Sequence, residues 1–141
     1  ILDLCTGSGC LAIYLALQFP SARVTATDMS SEALETAKAN ALQHGVQLRI
    51  DFRQGDLFAA CAAGSRFDLL VTNPPYIPTA DIPTLQPEVR DHDPKMALDG
   101  GVDGLEFYRR QFVEAPSWMR PGGCFMAEFG DGQGPRLMEL F

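Results

Sequence analysis

The chain has 141 residues, 46% hydrophobic and 21% charged, which predicts one domain spanning 1–141, with room for one core and not for two. No apolar run approaches the roughly 20 residues of a membrane helix, and no signal-peptide or lipidation motif is visible. With 11 basic residues against 18 acidic ones, a net charge of −7 and no basic run, the composition argues against extensive nucleic-acid binding.

In chain order, short apolar runs alternate with helical patterns. "ILDLC" reads as a first strand. "GCLAIYLALQF" follows as a helix, with Leu11, Ala12, Leu15, Ala16 and Phe19 on its inward face. "ARVTATD" is a second strand, rich in β-branched residues. Residues 31–44 form a helix facing inward through Leu34, Ala37, Ala41 and Leu42, stopped at His44-Gly45. "LRIDFRQGD" and "RFDLLVTN" are the third and fourth strands, and "GGCFMAEFG", introduced by a turn at Pro121-Gly122-Gly123, is the fifth. The segment 77–102 carries four prolines and no period, as a functional or mobile loop would. Asp103 and Glu106 predict a capping box on a helix running toward Trp118, with Phe107, Phe112 and Trp118 in the core. The chain opens on an apolar "IL" and closes on "PRLMELF", which predicts a piece of a longer protein.

This alternation predicts an α/β fold: a doubly wound, mostly parallel sheet with right-handed crossovers. Ligands of such sheets sit beyond the carboxyl ends of the strands, near the switch point. Several chemically notable residues fall there. Gly7 and Gly9 follow the first strand in a G-x-G-x-x-A pattern, Asp28 ends the second, Asp56 follows the third and Asn73 the fourth. Glycines at a strand-to-helix turn admit a ligand close to the backbone, and a strand-end acid roughly 20 residues on suits a ribose diol. That pair indicates a nucleoside ligand without separating NAD from S-adenosylmethionine. Asp3 inside the first strand, and Asp56 where an adenine amino group would be met, lean toward S-adenosylmethionine.

The sharpest motif is Asn73-Pro74-Pro75-Tyr76. A planar NH2 group is a poor nucleophile with two N–H donors in a fixed fork. The Asn73 side-chain oxygen and the Pro74 carbonyl are two acceptors that match it. Prolines restrict the torsions and bring no competing N–H, and Tyr76 offers a flat wall. The motif is therefore expected to hold an amide or amino nitrogen in line with an electrophilic methyl, contributing positioning rather than a strong base. The four cysteines, Cys5, Cys10, Cys61 and Cys124, lack zinc spacing and are expected to be free, mostly buried thiols in a reducing cytosol, with no metal site.

"DLCTGSG", "NPPYIP" and "PEVRDHDPKMALDGGVDGLEFYRR" together resemble the HemK/PrmC protein-(glutamine-N5) methyltransferases over nearly the whole chain. The resemblance implies a Rossmann-like class I S-adenosylmethionine-dependent methyltransferase fold. It implies methylation of a glutamine side chain in the Gly-Gly-Gln motif of class 1 release factors, or of a ribosomal protein by the close relative that shares "DLCTGSGC". N-P-P-Y alone is also shared with enzymes of DNA and RNA base amines. Cys5, Thr6, Gly7, Ser8 and Gly9 would form the cofactor loop, with Cys5 standing where the family often has Gly. Asp3 would support the cofactor, Asp28 would bind the ribose, Asp56 and Leu57 would border the adenine, and Asn73, Pro74, Pro75 and Tyr76 would hold the substrate glutamine. Asn73, Pro74 and Tyr76 would be catalytic. The resemblance further implies an N-terminal helical docking domain and C-terminal strands outside this chain, a bacterial cytoplasmic setting or an organelle, a protein partner and no membrane. Glu88 and Arg90 are candidates for ordering a substrate entrance, with solvated loop charges as the alternative. A nicotinamide-dependent oxidoreductase or a plain nucleotide-binding module would leave N-P-P-Y without a purpose.

Overall fold

The computed structural model describes residues 1–140. The chain divides into two compact units, Ile1–Asn73 with Ser117–Ala127, and Pro74–Pro116 with the segment from Glu128 onward.

The first unit is built on five strands: β1 (Leu2–Leu4), β2 (Val24–Asp28), β3 (Ile50–Gln54), β4 (Phe67–Thr72) and β5 (Met119–Ala127). They form one parallel sheet in the order β3-β2-β1-β4-β5. The order reverses between β1 and β4, which is the switch point where such sheets bind ligands. Helix α1 (Cys10–Gln18) links β1 to β2, and α2 (Ser31–Gln43) links β2 to β3. One apolar cluster joins Ala12, Ile13 and Ala16 of α1 and Ala41 of α2 to Val24 and Ala26. Val24 and Ala26 are two residues apart on β2, so both helices lie on the same sheet face.

The helices face the sheet through small residues. Leu11, Phe19 and Leu42, expected inward, are exposed, while Ile13 is buried. A close helix–sheet approach favours Ala at the contact and sends the larger side chains outward. Gly9 belongs to the same tight packing: its φ is +83°, and a Cβ there would stand 2.9 Å from the Ala37 Cβ. The Ser30 hydroxyl caps α2 by accepting the Ala33 N–H at 3.1 Å, and Gly45 follows its end at φ +68°. The β3-to-β4 crossover carries only a short 3-10 turn, Leu57–Ala60, whose Phe58 stacks on Trp118 with centroids 5.8 Å apart. Pro121-Gly122-Gly123 does not precede β5 but lies inside it, where the register against β4 shifts between Phe67 and Leu69.

The second unit contains α3 (Pro87–Arg90), α4 (Lys95–Leu98), α5 (Glu106–Trp118, whose end passes into the first unit) and α6 (Gly134–Leu140). The proline-rich loop is thus more ordered than its sequence suggests. Its base is closed by Ile77 and Thr79, whose N–H groups donate to the Leu98 and Gly101 carbonyls at 3.0 and 2.9 Å. Asp103 is structural, but not as a capping box. It accepts the Leu105 N–H at 3.2 Å, whereas the Glu106 N–H goes to the Gly100 carbonyl. Arg109 at 2.6 Å and Arg136 at 2.5 Å flank its carboxylate and hold it well below the usual carboxylate range. The residues of α5 that are fully buried are Tyr108 and Gln111; Phe107, Phe112 and Trp118 are only partly covered. The Tyr108 hydroxyl can be buried because it donates to the Glu128 carbonyl at 2.6 Å. None of the cysteines is buried as expected: Cys10 and Cys124 are exposed, and Cys5 and Cys61 partly so. No described helix is long and apolar enough to cross a membrane.

Candidate active site

Register decides which predicted residues meet. Leu4 is level with Thr27 on one side and Thr72 on the other, and Asp28 is level with Gln54. One residue further along, Cys5, Asp28 and Asn73 therefore stand at the same carboxyl edge of the sheet, flanking the switch point, with Asp56 just past β3.

The glycine loop is tied down from both sides. From beneath, the buried Asp3 Oδ2 accepts the Thr6 hydroxyl at 2.6 Å and the Ala12 N–H at 3.0 Å. This carboxyl does for α1 what an N-cap side chain would do, since Gly9 at the N-cap has none. Burial pushes Asp3 up to about 7, with the Thr6 and Ala12 bonds opposing the rise and nearby Asp28 adding to it. From the β2 side, Asp28 Oδ2 accepts the Gly7 N–H at 2.8 Å and Oδ1 accepts the Ser30 N–H at 2.9 Å. The loop closes on itself where the Gly9 N–H meets the Thr6 carbonyl at 2.9 Å. Asn40, a residue with no sequence signal, reaches across from α2 to the Ser8 carbonyl at 3.0 Å.

Two non-glycine residues in this unit adopt left-handed backbone, Cys5 at φ +57° and Leu57 at +47°. Each costs about 1–2 kcal/mol, and such strain gathers where geometry is dictated by function. The left-handed backbone at Cys5 also explains why Gly suits this position. Burial pushes the Cys5 thiol up to about 12, and Asp28, Asp3 and Asp56 all push the same way, so the three acids converge on this loop. Leu57 is buried, so its side chain presents no stacking face.

The chain's own residues fit a nucleoside ligand. Nothing lies within 4 Å of where a Gly7 Cβ would stand, so this backbone is open to close approach. Asp28 Oδ2 spends one lone pair on the Gly7 N–H and Oδ1 one on the Ser30 N–H, leaving capacity for the two hydroxyls of a diol. Among the described residues the buried Asp3 Oδ1 has no hydrogen-bond partner. Asn73 ends the first unit with its side chain exposed and making no hydrogen bond among the described residues. In the second unit Pro74 and Pro75 are buried, Tyr76 is partly buried, and among the described residues the Pro74 carbonyl accepts no hydrogen bond. Arg90 pairs with its own neighbour Asp91 at 2.7 Å, and Glu88 is exposed.

A family described as a methyltransferase domain matches residues 1–92, the stretch that carries every residue of this sheet edge. The chain belongs to the methyltransferase domain family. This methyltransferase domain is 48% identical over its full length to the release factor glutamine methyltransferase of Geobacter sulfurreducens, covering 49% of that protein. It is also 48% identical over 133 residues, 94% of its length, to the ribosomal protein uL3 glutamine methyltransferase of Bradyrhizobium diazoefficiens, covering 41% of it. The domain thus spans about half the length of the curated relatives it matches, and the glutamine methyltransferase resemblance extends along the whole chain. Among solved structures, a ribosomal protein L11 methylase from Lactobacillus delbrueckii superposes with a TM-score of 0.69 at 23% identity, over 99% of this chain and 56% of that one. An RNA methyltransferase from Salinibacter ruber, in complex with S-adenosyl-L-homocysteine, superposes with a TM-score of 0.61 at 21% identity, over 94% of this chain and 67% of that one. At such identities these likenesses concern the fold: the doubly wound class I methyltransferase sheet.

Proposed function

We propose that this domain is the catalytic part of an S-adenosylmethionine-dependent protein-(glutamine-N5) methyltransferase acting on a class 1 peptide release factor. The observation that carries the reading is the sheet edge: strand register sets Cys5, Asp28 and Asn73 in line at the switch point, with the Asn73 carboxamide unengaged. Cys5 to Gly9, Asp28, Asp56 and Leu57 would hold the cofactor, with Asp3 bracing the loop from below. When bound, S-adenosylmethionine would supply an electrophilic methyl group on a sulfonium, whose carbon–sulfur bond would break as the new bond to nitrogen forms, leaving a neutral thioether.

The protein's part is orientation. The Asn73 side-chain oxygen and the Pro74 carbonyl accept the two N–H groups of a glutamine carboxamide, which fixes its plane, while Tyr76 limits its tilt. No strong base is required, because these acceptors stabilise the positive charge that develops on the nitrogen as it forms its new bond. The surplus proton leaves to solvent.

The uL3 relative matches at the same 48% identity as the release-factor one, so a ribosomal-protein glutamine is the second substrate to try. Base amines of nucleic acids fit less well with a net charge of −7. The bacterial relatives support a cytoplasmic setting. The test is methyl transfer by the full-length protein from labelled S-adenosylmethionine to a release factor, to uL3, and to DNA and RNA. Label on a release-factor glutamine is expected. Asn73→Ala should lower transfer by about 100-fold or more while cofactor affinity persists; turnover at the wild-type rate in that variant would rule the mechanism out.

A further inference from the structure

The two prolines that rigidify N-P-P-Y also remove the N–H groups by which a backbone is usually anchored. Among the described residues the Pro74 carbonyl accepts no hydrogen bond, so its direction has to be set from downstream. Within the second unit, three glycines and one glutamine converge on Tyr76. A Cβ on Gly100 would stand 2.7 Å from the Tyr76 Cα and 2.8 Å from the Pro75 carbonyl oxygen, and one on Gly104 would collide with the Tyr76 carbonyl oxygen. Against the ring, a Cβ on Gly130 would be 3.1 Å from Tyr76 Cδ2.

Gln133 closes this cradle with both ends of its amide. Its Nε2 donates to the Tyr76 carbonyl at 2.8 Å and, at 3.4 Å, to the Gly104 carbonyl; its Oε1 accepts the Gly130 N–H at 2.9 Å. The side chain thus ties two segments 57 residues apart. The Leu137 N–H donates to the Gln133 carbonyl at 3.0 Å, which sets the residue firmly at the start of α6.

We infer that Gln133 is a positioning residue: its amide clamps the Tyr76 backbone in the glycine cradle and so aims the Pro74 carbonyl for the carboxamide clasp. The inference rests on the functional reading above. Q133E is the discriminating change in the full-length protein. It keeps an acceptor for the Gly130 N–H, removes the donor to Tyr76, and turns a carboxylate toward two carbonyl oxygens. Kcat for glutamine methylation should fall about 30- to 100-fold, in the range of an ångström-scale misplacement. The affinity for S-adenosyl-L-homocysteine should stay within about twofold, because its expected ligands lie in residues 1–73. Kcat should recover as pH falls, because a protonated carboxyl can donate again.

Kcat within about twofold of wild type would overturn the inference. So would a parallel loss of kcat and cofactor affinity with no recovery at low pH, which is the signature of a merely structural residue. If Q133E fails to fold, Q133A removes the same donor without a charge and carries the same test. Hydrogen exchange over residues 74–79 needs no substrate. Faster exchange there in the variant supports the clamp and unchanged exchange overturns it, even if the wild-type protein methylates no glutamine and the functional reading itself fails.

Discussion

Two groups of glycines serve this chain in opposite ways. In the first unit, the position of a Gly7 Cβ is open, with nothing from the described residues within 4 Å apart from its chain neighbours, which leaves the backbone there approachable. In the second unit, the space at Gly100 and Gly104 is already filled by the Tyr76 and Pro75 backbone. The first kind of glycine leaves open space beside the backbone; the second lets one stretch of backbone seat another. A glycine motif cannot be read as a ligand loop until it is known what stands where the side chain would be.

Substitutions separate the two kinds. Gly100→Ala should cost about 2–3 kcal/mol of stability, because all three of its close contacts are with backbone that must shift. Denaturant unfolding measures it, with an added loss of turnover if Tyr76 moves. Gly7→Ala should cost only about 1 kcal/mol of stability, since its penalty is the left-handed backbone at φ +54° and not a clash. Its effect belongs instead in calorimetric titration with S-adenosyl-L-homocysteine, where affinity should fall more than about tenfold. An unchanged affinity would erase the distinction between the two groups.

A third effect concerns the carboxyl beneath the first loop. Asp3 is pushed up to about 7 from an ordinary 3.8, so the folded chain holds this proton more tightly than the unfolded one. The stabilisation is complete below 3.8 and is lost as pH rises to about 7. Asp3→Asn, which mimics the protonated acid, should flatten that decline. The change in urea midpoint between about pH 5 and about pH 8 should be smaller in the variant than in the wild-type protein. An equal change in both would mean that Asp3 is charged in the folded state throughout.

The parts of the fold that were legible in the sequence are those with a local period. The strands, α1 and α2 show as alternating patterns, and the Ser30 cap and the Gly45 stop carry their own backbone chemistry. Which helix face points inward was harder to read. Leu11 and Leu42 look like core by hydropathy, yet close approach to the sheet selects Ala12, Ala16, Ala37 and Ala41 and leaves the leucines outside. The Pro121-Gly122-Gly123 turn was recognised by composition, but its place inside β5 depends on pairing with β4. In the candidate site, Asp28 and Asn73 could be read because each follows a strand. Asn40 and Gln133 could not: each acts on backbone 32 or 57 residues away, and no local pattern marks a partner at that distance.

From the order of its residues alone the chain declares an alternating α/β architecture, a glycine turn, strand-end acids and a rigid N-P-P-Y, because each rests on torsional preference or short-range periodicity. Tertiary structure alone decides that Cys5, Asp28 and Asn73 come level at one sheet edge, that Asp3 caps α1 from a neighbouring strand, and that Tyr76 is seated by Gly100, Gly104 and Gln133. Those outcomes depend on register and on the fit of distant backbones, which are settled only when the strands pair and the core closes.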